Sequence, residues 1–257
     1  MARIYSWGNA TGPADLYTRH KMQMVVFQIP HGLSNSNGAT TIQATVGGVA
    51  SNTLPFTVRA GGIYYVSTTG NDLTGTGSWS APWRTISQSA LNLNPGDTLY
   101  VRNGVQQITN DDGGCSSPGC AMTLEYGESS SQFATPAMPK AIIAYPGATA
   151  QIGSATLDSW STYIDDNDSS GYWTIAKMTL LGQSGTATYG VGFRLIGNHI
   201  SAPNGDGQTG TIGGGDSTNL FILGNELTNR GYAGDQQALP PLVRSKPGIW
   251  NSSPASR

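Results

Sequence analysis

Three short segments constrain this chain more than any other feature. WTIAKMTL (173–180), FRLIGNHI (193–200) and LFILGNEL (220–227) align without gaps, at spacings of 20 and 27 residues. Periods of that size belong to architectures in which each repeat buries its apolar face against the next. Trp173, Phe193 and Leu220 share one column, Ile175, Leu195 and Ile222 a second, and Leu180, Ile200 and Leu227 a third. These columns predict short strands stacked with their apolar side chains inward. Asn198 and Asn225 interrupt the apolar runs, each directly after a glycine, where the first segment has Met178 after Lys177. An asparagine there predicts a bend between two short sheets. It tolerates left-handed backbone, and its amide can bond turn groups or the amide stacked on it. Asn198 and Asn225 are therefore expected to form a short structural ladder.

The rest of the chain fits an all-β reading. With 35 glycines and 11% charged residues, it has few stretches of helical period. One exception follows Thr85, where Ile86, Ala90 and Leu93 lie on one helical face before Pro95-Gly96 stops the helix. A lone helix suits the open end of a stack of strands, which must be covered. KAIIAYPGATAQI (140–152) reads as strand, Pro-Gly corner and strand.

The stretch from 61 to 104, GGIYYVSTTGNDLTGTGSWSAPWRTISQSALNLNPGDTLYVRNG, resembles the opening of right-handed parallel β-helix proteins of the pectate-lyase-like superfamily. There the same pattern supplies the first strand, the capping helix and the first rung. The resemblance implies a right-handed parallel β-helix (a solenoid) with an N-terminal capping helix over residues 61–232. Residues 233–257, with Pro240-Pro241, do not continue the columns and are expected to be an irregular tail marking a truncation.

Residues 1–60 read differently. MQMVVFQIP (22–30) is expected to be a buried strand, TTIQATVGG (40–48) alternates, and Gly47-Gly48 predicts a tight turn into VASNTLPFTV. Residues 20–59 resemble the C-terminal part of an IPT/TIG immunoglobulin-like domain, which implies a partial β-sandwich lacking its first strands. Met1-Ala-Arg is not followed by an apolar leader, so either the protein is not exported or this chain begins inside a longer secreted one. The immunoglobulin-like segment favours a secreted or cell-surface location.

Charge and hydropathy exclude some partners. A net charge of −2 argues against a nucleic-acid partner, and no apolar run approaches the roughly 18 residues of a membrane span. A monomer is expected.

The chemistry-bearing residues each carry two readings. In the outward columns, Arg194 is set beside Phe221, as a cation–π pair or sugar platform. His199 is set beside Glu226, as an acid/base pair. All four could equally be solvated cross-strand partners. Asp166, Asp168 and Ser170 alternate oxygen ligands before Gly171, as at the start of a Ca²⁺ loop, but Lys177 stands where an EF-hand has its distal Glu. A polar turn explains the same residues. Asp206 and Asp216 lie in Gly-rich loops and could contact a ligand or simply shape turns. Cys115 and Cys120 flank a Pro-Gly loop that could let them pair as a disulfide. His20 and His31 are assigned no role, GTIGGG lacks the Lys-Ser/Thr of a phosphate loop, and no HExxH or Ser-His-Asp arrangement is present.

The superfamily resemblance implies polysaccharide chemistry, as a lyase or a glycoside hydrolase, with Ca²⁺ as the one cofactor in question. The alternative is a non-catalytic surface protein that binds glycans, because fold alone does not choose among the activities hosted by one architecture.

Overall fold

The computed structural model describes residues 3–10, 12–29, 39–108, 120–124, 130–155, 162–164, 171–182, 186–188, 190–203, 212–214 and 217–229. They are mostly β, with three parallel sheets. The first sheet holds Ile63–Val66, Thr98–Val101, Lys140–Ala144, Trp173–Ala176, Arg194–Ile196 and Phe221–Leu223. Gln106–Gln107, Gln151–Gly153, Thr179–Leu181, His199–Ala202 and Glu226–Asn229 form the second, and Met122–Leu124, Thr162–Ile164, Thr186–Thr188 and Ile212–Gly214 the third. From Thr98 onward the chain visits first, second and third sheet in that cyclic order, and each circuit pairs with the one before it.

The pairing register reproduces the columns read from the sequence. Leu99, Ile142, Ile175, Leu195 and Ile222 are successive partners, as are Ile152, Leu180, Ile200 and Leu227. Trp173, Ile175, Leu180, Leu195 and Ile200 are fully buried. Each such aliphatic side chain contributes roughly 1.5–3 kcal/mol of burial. Ile222, on the edge strand of the first sheet, is 40% exposed instead. Lys140 opposes Trp173 in the register and is itself fully buried, its ammonium 4.9 Å from the centre of the indole.

Two bends recur in every later circuit. Between the first and second sheets, Lys177, Gly197 and Gly224 take φ near 60°. Before each first-sheet strand, Tyr172, Gly192 and Asn219 do the same, beside the bridges that link Gly171, Val191 and Thr218. Left-handed backbone was expected at the ladder asparagines themselves; it falls one residue earlier, on the glycines. Asn198 and Asn225 serve through their amides alone. Asn198 Nδ2 donates to Asn225 Oδ1 at 3.0 Å and to the Ile175 carbonyl at 2.9 Å, while its Oδ1 accepts from Met178 N–H at 2.9 Å. Asn225 Nδ2 donates to the Leu195 carbonyl at 2.8 Å. Each amide thus satisfies backbone of the preceding circuit, where the bend interrupts the ladder of strand hydrogen bonds.

The helix Ile86–Leu91 lies at the opposite end. Ile86, Ala90 and Leu93 are buried in the same core as Leu99 and Met122. Its first free amides are capped from a distance: Gln107 Oε1 accepts from Ile86 N–H at 2.9 Å and Ser87 N–H at 3.2 Å. Gln107 heads the Ile152–Leu180–Ile200 column, so the apolar stack ends in a buried amide that closes the helix N-terminus.

The partial β-sandwich expected over 1–60 is not what the described residues form. Arg3–Asn9 pairs antiparallel with Gln23–Gln28, Ala39–Ile42 with Leu54–Thr57, and Thr45–Val46 with Val49–Ala50, as three separate two-stranded sheets. The expected buried strand 22–30 leaves Val25 and Ile29 each 47% exposed. Two-stranded pieces without a facing sheet have nothing to bury against, and the buried apolar residues here reduce to Ala10, Ala14 and Leu16. The Gly47-Gly48 turn is present, with both glycines at positive φ. The tail 233–257 lies outside the described residues.

Candidate functional site

The outward columns place two of the expected pairs side by side. Arg194 and Phe221 are register partners, and the guanidinium carbon lies 5.4 Å from the phenyl centroid. Arg194 is half-buried and Phe221 44% exposed, so the ring can still meet a ligand. A cation over such a ring is worth about 0.5–1 kcal/mol at an exposed site.

His199 and Glu226 are also register partners, yet their side chains turn to different groups. His199 Nε2 lies 3.1 Å from the Thr228 hydroxyl, two residues along the partner strand. Glu226 Oε2 instead accepts from the Asp15 backbone N–H at 3.2 Å. Asp15 caps the helix Leu16–His20 through its own carboxylate, which accepts from Thr18 N–H at 3.1 Å. His199 is thus hydrogen-bonded with the Thr228 hydroxyl, and Glu226 accepts from the N-terminal segment. In the same region, the half-buried Lys177 runs past Gly197, and burial lowers its ammonium pKa from 10.5.

Asp166, Asp168, Ser170, Asp206, Asp216, Cys115 and His31 lie outside the described residues. Cys120 is buried, with Sγ 3.6 Å from the Thr123 hydroxyl. His20 is exposed in its short helix. Among the described residues, no group of three or more His, Cys, Asp or Glu side chains could hold a metal ion. A shallow hollow of about 220 Å³, lined by Thr68, Arg84, Gly104, Val105, Gln106 and Ile108, contains none of the expected site residues.

The outer face of the first sheet, at its helix-capped end, carries an aromatic cluster that the sequence motifs do not mark. Tyr65 and Tyr100 are register partners with centroids 6.1 Å apart. Trp79, from the loop after Ile63–Val66, sets its ring 5.1 Å from Tyr65 and 5.5 Å from Tyr145. Tyr145 also lies 5.8 Å from Tyr100. The Arg102 guanidinium covers one face of Trp79, 4.2 Å from its centre, and Arg102 Nη1 reaches the Trp79 carbonyl at 3.4 Å. Strand alternation does signal Tyr65 and Tyr100 as outward, since Tyr64, Val66, Leu99 and Val101 point into the core. Trp79 and Tyr145 come from loops, which periodicity does not place.

No family model matches the chain, and no curated protein matches it. Among solved structures, it is similar to the native GH136 lacto-N-biosidase from Eubacterium ramulus, at 15% identity and a TM-score of 0.46. The selenomethionine derivative of that protein gives 14% and 0.45. A rhamnogalacturonan lyase gives 15% and 0.36. Each match covers 65% of this chain, which spans 34% of the length of the first protein and 51% of the second. At these identities and scores, the likeness assigns no activity to this chain.

Proposed function

We propose that this chain is an extracellular right-handed parallel β-helix protein that acts on polysaccharide, as a lyase or a glycoside hydrolase. The observation that supports the reading is the threading. Residues 61–104, which carry the superfamily resemblance, occupy the capped end of three parallel sheets visited in cyclic order. Parallel crossovers of this kind are right-handed in about 98% of cases. Residues 1–60 are proposed as a separate N-terminal module. The outward row holding Arg194 and Phe221 is the proposed sugar contact, with Asp206 and Asp216 as further contacts. Asp166, Asp168 and Ser170 are the oxygen ligands a Ca²⁺ ion would use.

A second reading, a non-catalytic glycan-binding surface protein, is favoured by the separate engagement of His199 and Glu226. Glycoside hydrolysis uses two carboxyl groups held at a defined separation across the bond, and the described outward face presents no such pair.

The two readings separate in one assay. The protein is incubated with uronate and neutral polysaccharides, with Ca²⁺ and with chelator, alongside Arg194→Ala. Ultraviolet absorbance from unsaturated uronate identifies a lyase, and new reducing ends without that absorbance a hydrolase. Depletion onto insoluble glycan without product supports the binding protein. Silence in all three channels overturns both readings.

A further inference from the structure

We propose that the Tyr65–Trp79–Tyr100–Tyr145 cluster is a glycan-stacking platform that anchors, without cleaving, a chain of pyranose sugars with equatorial ring hydroxyls. This inference rests on the reading that the partner is a glycan, and it concerns residues separate from the Arg194–Phe221 row.

Four rings lie within 5.1 to 6.4 Å of their neighbours, Tyr65 and Tyr100 stacked and the other pairs edge-on or tilted, and form one contiguous aromatic cluster. It is open: Trp79 is 50% and Tyr145 38% exposed. Exposed apolar patches that are large and contiguous mark interaction sites more often than scattered single residues do. The polar atoms of the cluster are also unspent. Among the described residues, neither the three phenol hydroxyls nor the Trp79 indole N–H has a hydrogen-bond partner, whereas the indole of Trp83 donates to the Gly75 carbonyl at 3.0 Å. Burial, followed by the neighbouring phenols, raises the pKa of both Tyr65 and Tyr100, so these hydroxyls remain donors well into alkaline pH.

Flat ring faces combined with free donors at their edges define the ligand. A pyranose with equatorial hydroxyls presents axial C–H groups on its face and hydroxyls around its rim. The C–H face meets the rings while the rim meets the phenols, so each side satisfies the other. A purely apolar partner would leave the hydroxyls unpaired, at a cost. Arg102 fixes Trp79 from its other side, so the platform loses little side-chain freedom on binding. None of the five residues is a carboxylic acid, so the cluster lacks the carboxyl pair that glycoside hydrolysis uses.

The test is isothermal titration of the full chain with a β-1,4-linked glucose hexamer. The expected result is measurable binding by wild type that weakens at least tenfold in Trp79→Ala and in Tyr145→Ala. Trp79→Phe, which keeps a ring, should retain most of the affinity, and His20→Ala, an exposed position with no assigned role, should bind within about twofold of wild type. Thermal melts identify any variant that fails to fold, and Tyr145→Ala covers a failure of Trp79→Ala. Wild-type affinity in both folded alanine variants overturns the platform. So does absence of hexamer binding by a wild-type protein that still yields product from, or is depleted onto, other polysaccharides; the glycan reading then stands without it. Silence with the hexamer and with every polysaccharide overturns both.

Discussion

Asn198 is the most constrained side chain on the bend row. It is fully buried and both ends of its amide are engaged with backbone, by Met178 N–H and the Ile175 carbonyl. Asn198→Ala strands both groups and is expected to cost about 3 kcal/mol, read from urea unfolding. Asn225→Ala, at a half-buried position, should cost less; equal losses would count against the ladder as the cause. Lys177 gives a pH-dependent test. Burial lowers its folded-state pKa below 10.5, so the unfolded chain holds the proton more tightly. The resulting penalty is complete below the depressed folded value and vanishes above 10.5. Lys177→Met keeps the side-chain bulk at the same backbone angle. It should therefore raise the urea midpoint at pH 7, with the difference from wild type closing as the pH approaches 10.5. At this scale the sequence was legible for Asn198 and Asn225, whose repetition beside glycines exposed a shared position. The partners of His199 and Glu226 were not legible, because side-chain choice among several nearby donors leaves no periodic trace.

Elements of the first two sheets were readable because their columns recur with a fixed distance from one sheet to the next: Ile175 to Leu180, Leu195 to Ile200 and Ile222 to Leu227 have the same spacing. The third sheet was missed. Its strands are three residues each, and segments such as Thr186–Thr188 and Ile212–Gly214 carry too few apolar side chains to show alternation. The glycines of the bends differ in what they tolerate. A Cβ on Gly171 would sit 2.0 Å from the Val191 carbonyl oxygen, whereas on Gly224 it would make only ordinary contact with Leu16. Gly224→Ala should thus cost about 1–2 kcal/mol of left-handed strain, and Gly171→Ala considerably more, because backbone has to move. Comparing their thermal midpoints checks the order. At the capped end, Gln107→Leu removes the acceptor for Ile86 and Ser87 N–H. It should destabilise by about 2 kcal/mol, with amide exchange of residues 86–91 accelerating before the rest.

For the whole molecule, the N-terminal residues touch the stack at its later circuits as well as at its start. Asp15 N–H reaches Glu226, Leu16 lies beside Gly224, and Arg59 Nη1 donates to the Pro136 and Ala137 carbonyls at 3.0 and 2.9 Å. Glu226→Ala should speed amide exchange at Asp15 without changing the exchange of Leu99 or Ile142; unchanged exchange at Asp15 would mean the contact contributes nothing in solution. None of these long-range contacts could be read from the sequence, since they join segments with no shared pattern. The spacing of the circuits carries one more consequence. The passage from first to second sheet never changes length in the three aligned circuits, so the difference between spacings of 20 and 27 residues falls wholly on the return through the third sheet. Among these three circuits, differences in length are thereby confined to one flank. There the flank can be lengthened or shortened from one circuit to the next while the bend row, acting as a fixed seam, keeps the strands of these circuits in register.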